Sequence, residues 1–304
     1  MCENDFVKQL NEREGLLVQQ IGFIGLGNMG GRVCKAIAKK YPVNAFDINP
    51  DTAEKLKDCL NLLPSTLDVL KCSDVIFLSL PSTKIVEPII LEFLQNGVAG
   101  KVIVDTSTSY PVATRRLAKQ VEAAGGSLVD LPLSGVPANA DEGKLLALFG
   151  GDPAMFEALR PIVSCFANRY ANLGGSGCGH TAKLIFNYVA LSYVSIYATA
   201  FPLTEKMGLD NQQLFELLQT TGMHCGTMDF YVPKMIHRTY DMAFALGLAH
   251  KDLTYVKDMF EEYQVPAFPL DGTLTLLRTA IRDGKANDDY SACISTMFEF
   301  FENK

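Results

Sequence analysis

Two short stretches of this chain hold residues that could do chemistry. The first is "GCGHTAKLIFNYVALSYVSIYATAFPL", Gly177–Leu203, which sets Lys183 at the head of a run without formal charge from Leu184 to Leu203. Asn187 follows four residues later, so on a helix the two side chains share a face. A lysine in that place either snorkels at the end of a buried helix or handles protons. An apolar, water-poor setting disfavours the ammonium form and draws lysine towards a working acid/base. An amide one turn away can donate to an oxygen without adding charge. The second stretch is Gly25-Leu26-Gly27-Asn28-Met29-Gly30, a GxGxxG directly after "IGFI". Its first glycine permits a tight turn, its second lets a pyrophosphate approach the backbone, and its third lets helix pack on strand. The helix it opens supplies N–H groups and a partial positive charge. Tight turns produce this pattern by chance, so the motif is weak alone. Asp47 strengthens it by ending the next apolar run, about 20 residues on, where a carboxylate accepts ribose hydroxyls. The other role for Asp47 is a turn or cap before "INP". No lysine or arginine follows in "DINP" to partner a 2′-phosphate, so NAD is favoured over NADP.

These groups need a scaffold. Apolar runs recur at 21–26, 43–47, 74–80, 101–105, 127–131 and 145–150, most without polar alternation. Strands buried on both faces of a parallel sheet have this pattern. Amphipathic helical stretches lie between them at 28–40, 51–60, 84–95 and 111–124, which predicts βαβ units and a doubly wound sheet. "GGDPAMFEALRPIV" predicts a helix with Asp152 as N-cap and Pro153 at its first position. From residue 180 onward the strand signal fades and helices are predicted at 180–207, 210–221, 250–263 and 270–282. Gly174, Gly175, Gly177 and Gly179 predict a flexible junction. The predicted layout is an N-terminal extension (1–20), a dinucleotide-binding domain (21–174) and an all-helical C-terminal domain (175–304).

The bulk numbers fit this reading. A chain of 304 residues with 48% hydrophobic and 20% charged residues is ordinary globular protein, long enough for two domains. The formal net charge of −7, without a basic run, argues against nucleic acid or an anionic membrane as partner. The eight cysteines show no CxxC and no pairing with the four histidines at metal spacing, so free thiols in a reducing cytoplasm and no metal are expected. The polar, acidic start has neither the pattern of a secretory leader nor that of a mitochondrial transit peptide. The run Leu184–Leu203 is long enough to span a bilayer. Its Asn187, three tyrosines and late Pro202 favour instead a helix buried between domains or subunits. Long apolar helices in that half invite pairing with a second copy, as a homodimer or homotetramer.

"GFIGLGNMG", "LPST" (80–83), "DTSTSYP" (105–111), "DLPLSGVPANADEGKL" (130–145), "GCGHTAKLIFN" (177–187) and "KDL" (251–253) occur in that order. In these motifs, over nearly the whole chain from residue 21, the sequence resembles the β-hydroxyacid dehydrogenase family, which includes 3-hydroxyisobutyrate dehydrogenase. The resemblance implies an N-terminal Rossmann-type domain, a long interdomain helix and an all-helical C-terminal domain. It implies Lys183 as general acid/base and Asn187 as a substrate-holding residue. Ser134 and Gly135 would bind the substrate carboxylate. Thr108 would lie beside the nicotinamide, Leu80 and Pro81 would touch the cofactor, and Lys251 would close over it. The sequence departs from the family in having Val136 where a second glycine usually follows Ser-Gly, and Ala138 and Asn139 where another glycine often lies two or three residues later, and this leaves the substrate open while keeping the reaction type.

Plain structural roles stand beside these. Ser134 and Gly135 would also suit a turn, Thr108 a helix cap before Pro111, and Lys251 a solvated charge. His180 and His250 are expected to pack or cap rather than catalyse. The favoured function is NAD-dependent hydride transfer between a small 3-hydroxy acid and nicotinamide, or reduction of the matching semialdehyde. An NADPH-dependent glyoxylate or succinic semialdehyde reductase is disfavoured by Asp47. A non-catalytic dinucleotide-binding protein is disfavoured by the presence of both Lys183 and Ser134.

Overall fold

A computed structural model describes residues 20–302. The extension expected at 1–20 lies, apart from Gln20, outside the described residues. The chain divides into two compact units, the first ending at Lys183 and the second starting at Leu184.

The first unit is built on a six-stranded parallel sheet in the order β3-β2-β1-β4-β5-β6. Its elements are β1 (Ile21–Ile24), α1 (Gly30–Ala38), β2 (Val43–Phe46), α2 (Pro50–Glu54), β3 (Asn61–Leu62), α3 (Thr66–Lys71), β4 (Val75–Leu78), α4 (Thr83–Asn96), β5 (Val102–Asp105), α5 (Pro111–Ala123) and β6 (Ser127–Asp130). This is the doubly wound order of dinucleotide-binding domains. The continuous apolar strands sort their side chains alternately to two cores. Val75 and Phe77 of β4 join Ile21 and Phe23 on one face of the sheet. Ile76 and Leu78 join Ile24 and Ile103 on the other. A smaller sheet follows, β7 (Leu133–Ser134) antiparallel to β8 (Leu145–Phe149), which pairs in parallel with β9 (Ala167–Asn172). Between them lie α6 (Pro137–Asp141) and α7 (Pro153–Val163). Asp152 caps α7, accepting from the Ala154 N–H at 2.9 Å, with Pro153 at the first position as predicted.

Three strands were not anticipated. β3 and β7 are two residues long, and β9 ("ANRYAN") is polar and mostly open to solvent, so none carries the apolar signal of a buried strand. The helix predicted at 51–60 stops at Glu54, because the chain turns to lay Asn61 beside Asn44 of β2. The short α3 and α6 were also unanticipated.

The first unit runs past the glycine-rich stretch into α8 (Cys178–Lys206), which continues into the second unit. There it is followed by α9 (Asn211–Gln219), α10 (Gly226–Ile236), α11 (Leu246–Glu262), α12 (Phe268–Arg282) and α13 (Cys293–Glu302). No strand follows β9 among the described residues. Two of these helices, α10 and α13, lie where no helix was predicted. Leu184, Leu191, Val194, Ala198 and Phe201 form one stripe of α8, packed with Val232, Leu253 and Leu274. By length and composition α8 could cross a membrane, but that stripe belongs to the core of the second unit. The other side of α8 carries exposed Ile185, Phe186, Val189, Tyr193 and Ile196.

Candidate active site

The glycine loop is shaped by close approach. Gly25 has φ +96°, and a Cβ there would run into the Ser79 carbonyl oxygen, while one on Gly30 would run into that of Gly25. Neither position tolerates a side chain, so loop, α1 and the end of β4 close tightly together. A Cβ on Gly27 would meet no protein atom within 4 Å. The chain does not itself require glycine there, whereas a group brought against the backbone from outside would. No side chain caps α1 at Met29; the Gly31 N–H donates to the Gly27 carbonyl at 2.8 Å, and the positive end of the helix suits an anion.

Asp47 stands just past β2 as anticipated. Its Oδ2 accepts the Leu26 N–H at 2.6 Å and its Oδ1 the Asn49 N–H at 2.8 Å. Each carboxylate oxygen has a further lone pair for a hydroxyl. Asp47 lines a cleft of about 390 Å³ with Phe46, Ile48, Pro50, Leu63 and Pro64. Apolar walls beside a carboxylate suit the adenosine half of a dinucleotide. Asn28 is exposed and Met29 half-buried, whereas the Leu26 side chain is buried in the core, so Leu26 contributes only its backbone.

The next loops are joined to this one. The Leu80 N–H donates to Ser107 Oγ at 2.9 Å, tying the "LPST" turn, with Pro81 exposed at its edge, to the "DTSTSYP" loop. Asp105 holds that loop on both sides of Thr108. Its Oδ1 accepts the Ser107 N–H at 2.9 Å and its Oδ2 the Ser109 hydroxyl at 2.7 Å. Thr108 is half-buried, and the N-cap position of α5 is Tyr110, so Thr108 is not the helix cap.

Ser134 pairs with Leu146 at the edge of the smaller sheet, and Gly135 has φ +133°. Asn139 then folds back so that its Oδ1 accepts the Val136 N–H at 2.9 Å. The side chain that departs from the family pattern thus occupies one backbone donor of the loop. Arg32 of α1 pairs with Asp141, which links this loop to the helix behind the phosphate loop.

Lys183 is placed by a buried carboxylate. Asp130, at the end of β6, accepts the Gly177 N–H at 2.6 Å and the His180 N–H at 2.8 Å, capping the start of α8. Burial pushes the Asp130 pKa up, while His180 and these two N–H groups pull against it. The stretch expected to be a flexible junction is therefore pinned. Lys183 lies one turn beyond His180 and is half-buried.

In the second unit Asn187, Lys251 and Asp252 come together. Asn187 Nδ2 donates to Asp252 Oδ2 at 2.6 Å. Lys251 Nζ is 2.9 Å from Asp252 Oδ1 and 5.3 Å from the centre of the Tyr255 ring. Lys251 is thus not the solvated charge that lysine is by default. Asp252 was not singled out from sequence, although the "KDL" motif contains it. Asn139 was noted only as a departure, and Asp130 was not recognised as a cap because its partners lie some 50 residues on.

Residues 20–175 match the NAD-binding domain of 6-phosphogluconate dehydrogenase, and residues 177–297 match the family described as NAD-binding of NADP-dependent 3-hydroxyisobutyrate dehydrogenase. Fold and matches together define an NAD(P)-dependent hydroxyacid oxidoreductase. The chain belongs to the 3-hydroxyisobutyrate dehydrogenase-like family of β-hydroxyacid dehydrogenases. It is 29% identical over 287 residues to 2-hydroxy-3-oxopropionate reductase of Escherichia coli K12, covering 91% of this chain and 97% of that one. It is 30% identical over 296 residues to the mitochondrial 3-hydroxyisobutyrate dehydrogenase of Homo sapiens, covering 92% and 87%. A 3-hydroxyisobutyrate dehydrogenase of Mycobacterium tuberculosis, solved with L-serine, shares the fold with a TM-score of 0.85 at 24% identity, over 92% of this chain and 99% of that one.

Proposed function

We propose that this protein transfers a hydride between a small 3-hydroxy acid, or the matching semialdehyde, and NAD, with Lys183 as general acid/base. One observation carries the reading. A single face of α8 presents a lysine and, one turn on, an amide whose donor nitrogen is oriented by Asp252. That pair suits an oxygen that must gain or lose a proton as its carbon changes oxidation state. When bound, the nicotinamide supplies the hydride or accepts it. The residues supply the rest. Lys183 in its amine form takes the hydroxyl proton during oxidation, and in its ammonium form returns it to the nascent alkoxide during reduction. Asn187 holds the same oxygen in register. The Ser134 hydroxyl meets the substrate carboxylate.

Asp47 supports NAD over NADP. With no lysine or arginine in "DINP", a 2′-phosphate would meet a carboxylate unpartnered, although one of the matching families is described as NADP-dependent. The test is a panel of 3-hydroxy acids and semialdehydes, each with NAD(H) and NADP(H), followed at the absorbance of reduced nicotinamide. On the best substrate, Lys183→Ala should lower kcat by roughly 10²–10⁴ with NADH binding largely kept. Lys183→Arg should not rescue it, because guanidinium stays protonated. A Lys183→Ala enzyme with near-normal turnover at neutral pH would falsify the assignment.

A further inference from the structure

We propose that His180 is a positioning residue for this reaction, whose imidazole holds the loop carrying Thr108 in register with the turn of α8 carrying Lys183. The inference rests on the acid/base reading of Lys183. His180 is fully buried and both ring nitrogens are engaged. Nε2 lies 3.1 Å from the Ser107 carbonyl oxygen, one residue before Thr108. A carbonyl only accepts, so Nε2 carries the hydrogen and donates it. Nδ1 lies 2.8 Å from the hydroxyl of Thr114 on α5, the helix that follows Thr108. That hydroxyl is also 3.2 Å from the Tyr110 carbonyl oxygen. With the hydrogen on Nε2, Nδ1 is the acceptor and the Thr114 hydroxyl donates to it. The backbone N–H of His180 is bonded to Asp130. One residue therefore ties the backbone just before Thr108, the Thr114 side chain on the helix after it, and the end of β6, to the first turn of α8.

Two carboxylates flank the ring, Asp105 Oδ2 at 3.7 Å from Nε2 and Asp130 Oδ2 at 3.9 Å from Nδ1. An apolar side chain would fill this volume without the desolvation cost of a buried imidazole. What the imidazole adds is direction, since its two nitrogens fix where Ser107 and Thr114 sit relative to α8. Chemistry between the nicotinamide side and a proton acceptor depends on such registration. Lys183 lies three residues past His180, about one turn further along α8.

The test compares His180→Leu, which fills the volume without polar atoms, with His180→Gln, which offers both a donor and an acceptor. His180→Leu should lower kcat by about 10²-fold, the scale of a 1 Å misplacement, with the cofactor KM nearly unchanged. His180→Gln should recover most of the loss. Thr114→Val should lower kcat in the same direction and add little on top of His180→Leu. Independently of activity, ¹⁵N-histidine spectra of the protein alone should show the Nε2 proton of His180 exchanging slowly with water. Wild-type kcat in His180→Leu overturns the proposal. So does a folded His180→Gln enzyme no better than the leucine variant, a loss of kcat matched by a loss of cofactor binding, or a rapidly exchanging Nε2 proton. If His180→Leu does not fold, wild-type kcat in Thr114→Val overturns it instead. Lys183→Ala is run alongside. If that variant keeps turnover, the acid/base reading fails; if it is inactive while His180→Leu is active, only the role of His180 fails.

Discussion

Asn187 of α8 donates from Nδ2 to Asp252 Oδ2 of α11 at 2.6 Å. A carboxylate accepts and never donates when ionised, so this contact fixes which end of the amide faces it. The second amide hydrogen is left with a defined direction. Asp252 is itself buried and sits beside Lys251. Asp252→Asn should loosen the Asn187 rotamer and lower kcat, by up to about 10²-fold, with little change in cofactor KM. Asp252→Ala should in addition lower the melting temperature, because it removes a buried carboxylate that partners both the Asn187 amide and the half-buried Lys251. An Asp252→Asn enzyme with wild-type kcat would show that Asn187 needs no such orientation.

Coenzyme choice should depend on Asp47. Hydrogen bonds to a charged group contribute about 1.5–3 kcal/mol, so Asp47→Ala should weaken NADH binding by about 10–10²-fold. The same change should narrow the gap to NADPH by removing like charge from a 2′-phosphate. Because Asp47 also accepts the Leu26 N–H, Asp47→Asn serves as a milder control that removes charge while keeping shape. Titration of the wild type with both reduced coenzymes decides the matter. Tighter binding of NADPH would contradict the reading of "DINP".

The carboxylate loop should separate binding from cofactor capture. Ser134→Ala removes one hydroxyl donor and should raise substrate KM by about 10-fold, leaving NAD affinity nearly unchanged. Asn139→Gly should release the Val136 N–H now bonded at 2.9 Å and alter the ranking of acids in the substrate panel. Val136→Gly should broaden it. An unaltered ranking in both variants would show that these side chains do not shape the pocket.

Thiol reactivity should follow burial. The thiolate is the reactive form. Burial, with Asp289 nearby, pushes Cys293 up to about 12, and burial holds Cys34 well above the ordinary thiol range. Cys59 and Cys72 are exposed. Alkylation of the native protein at neutral pH, read by peptide mass, should modify Cys59 and Cys72, and should reach Cys34 and Cys293 only after unfolding. Equal labelling of all four in the native state would contradict this packing.

Much of this protein could be read from its sequence because the signals are local. Continuous apolar strands alternating with amphipathic helices specify a two-faced parallel sheet, since nothing else buries Val75–Leu78 or Val102–Asp105 on both sides. The GxGxxG spacing after an apolar run is likewise local, although what crowds Gly25, the Ser79 carbonyl at the end of β4, comes from the fold. Lys183 and Asn187 share a face because a helix returns every 3.6 residues. What tertiary structure alone decided are pairings between segments far apart in sequence. Asp130 reaches Gly177 and His180, His180 reaches Ser107 and Thr114, and Asn187 reaches Asp252. No periodicity encodes such contacts. They exist because the parallel sheet brings the ends of β5 and β6 side by side, and because helix packing lays α11 against α8 in the second unit. The same reasoning explains β9, whose polar residues form a strand only because β8 is there to pair with it.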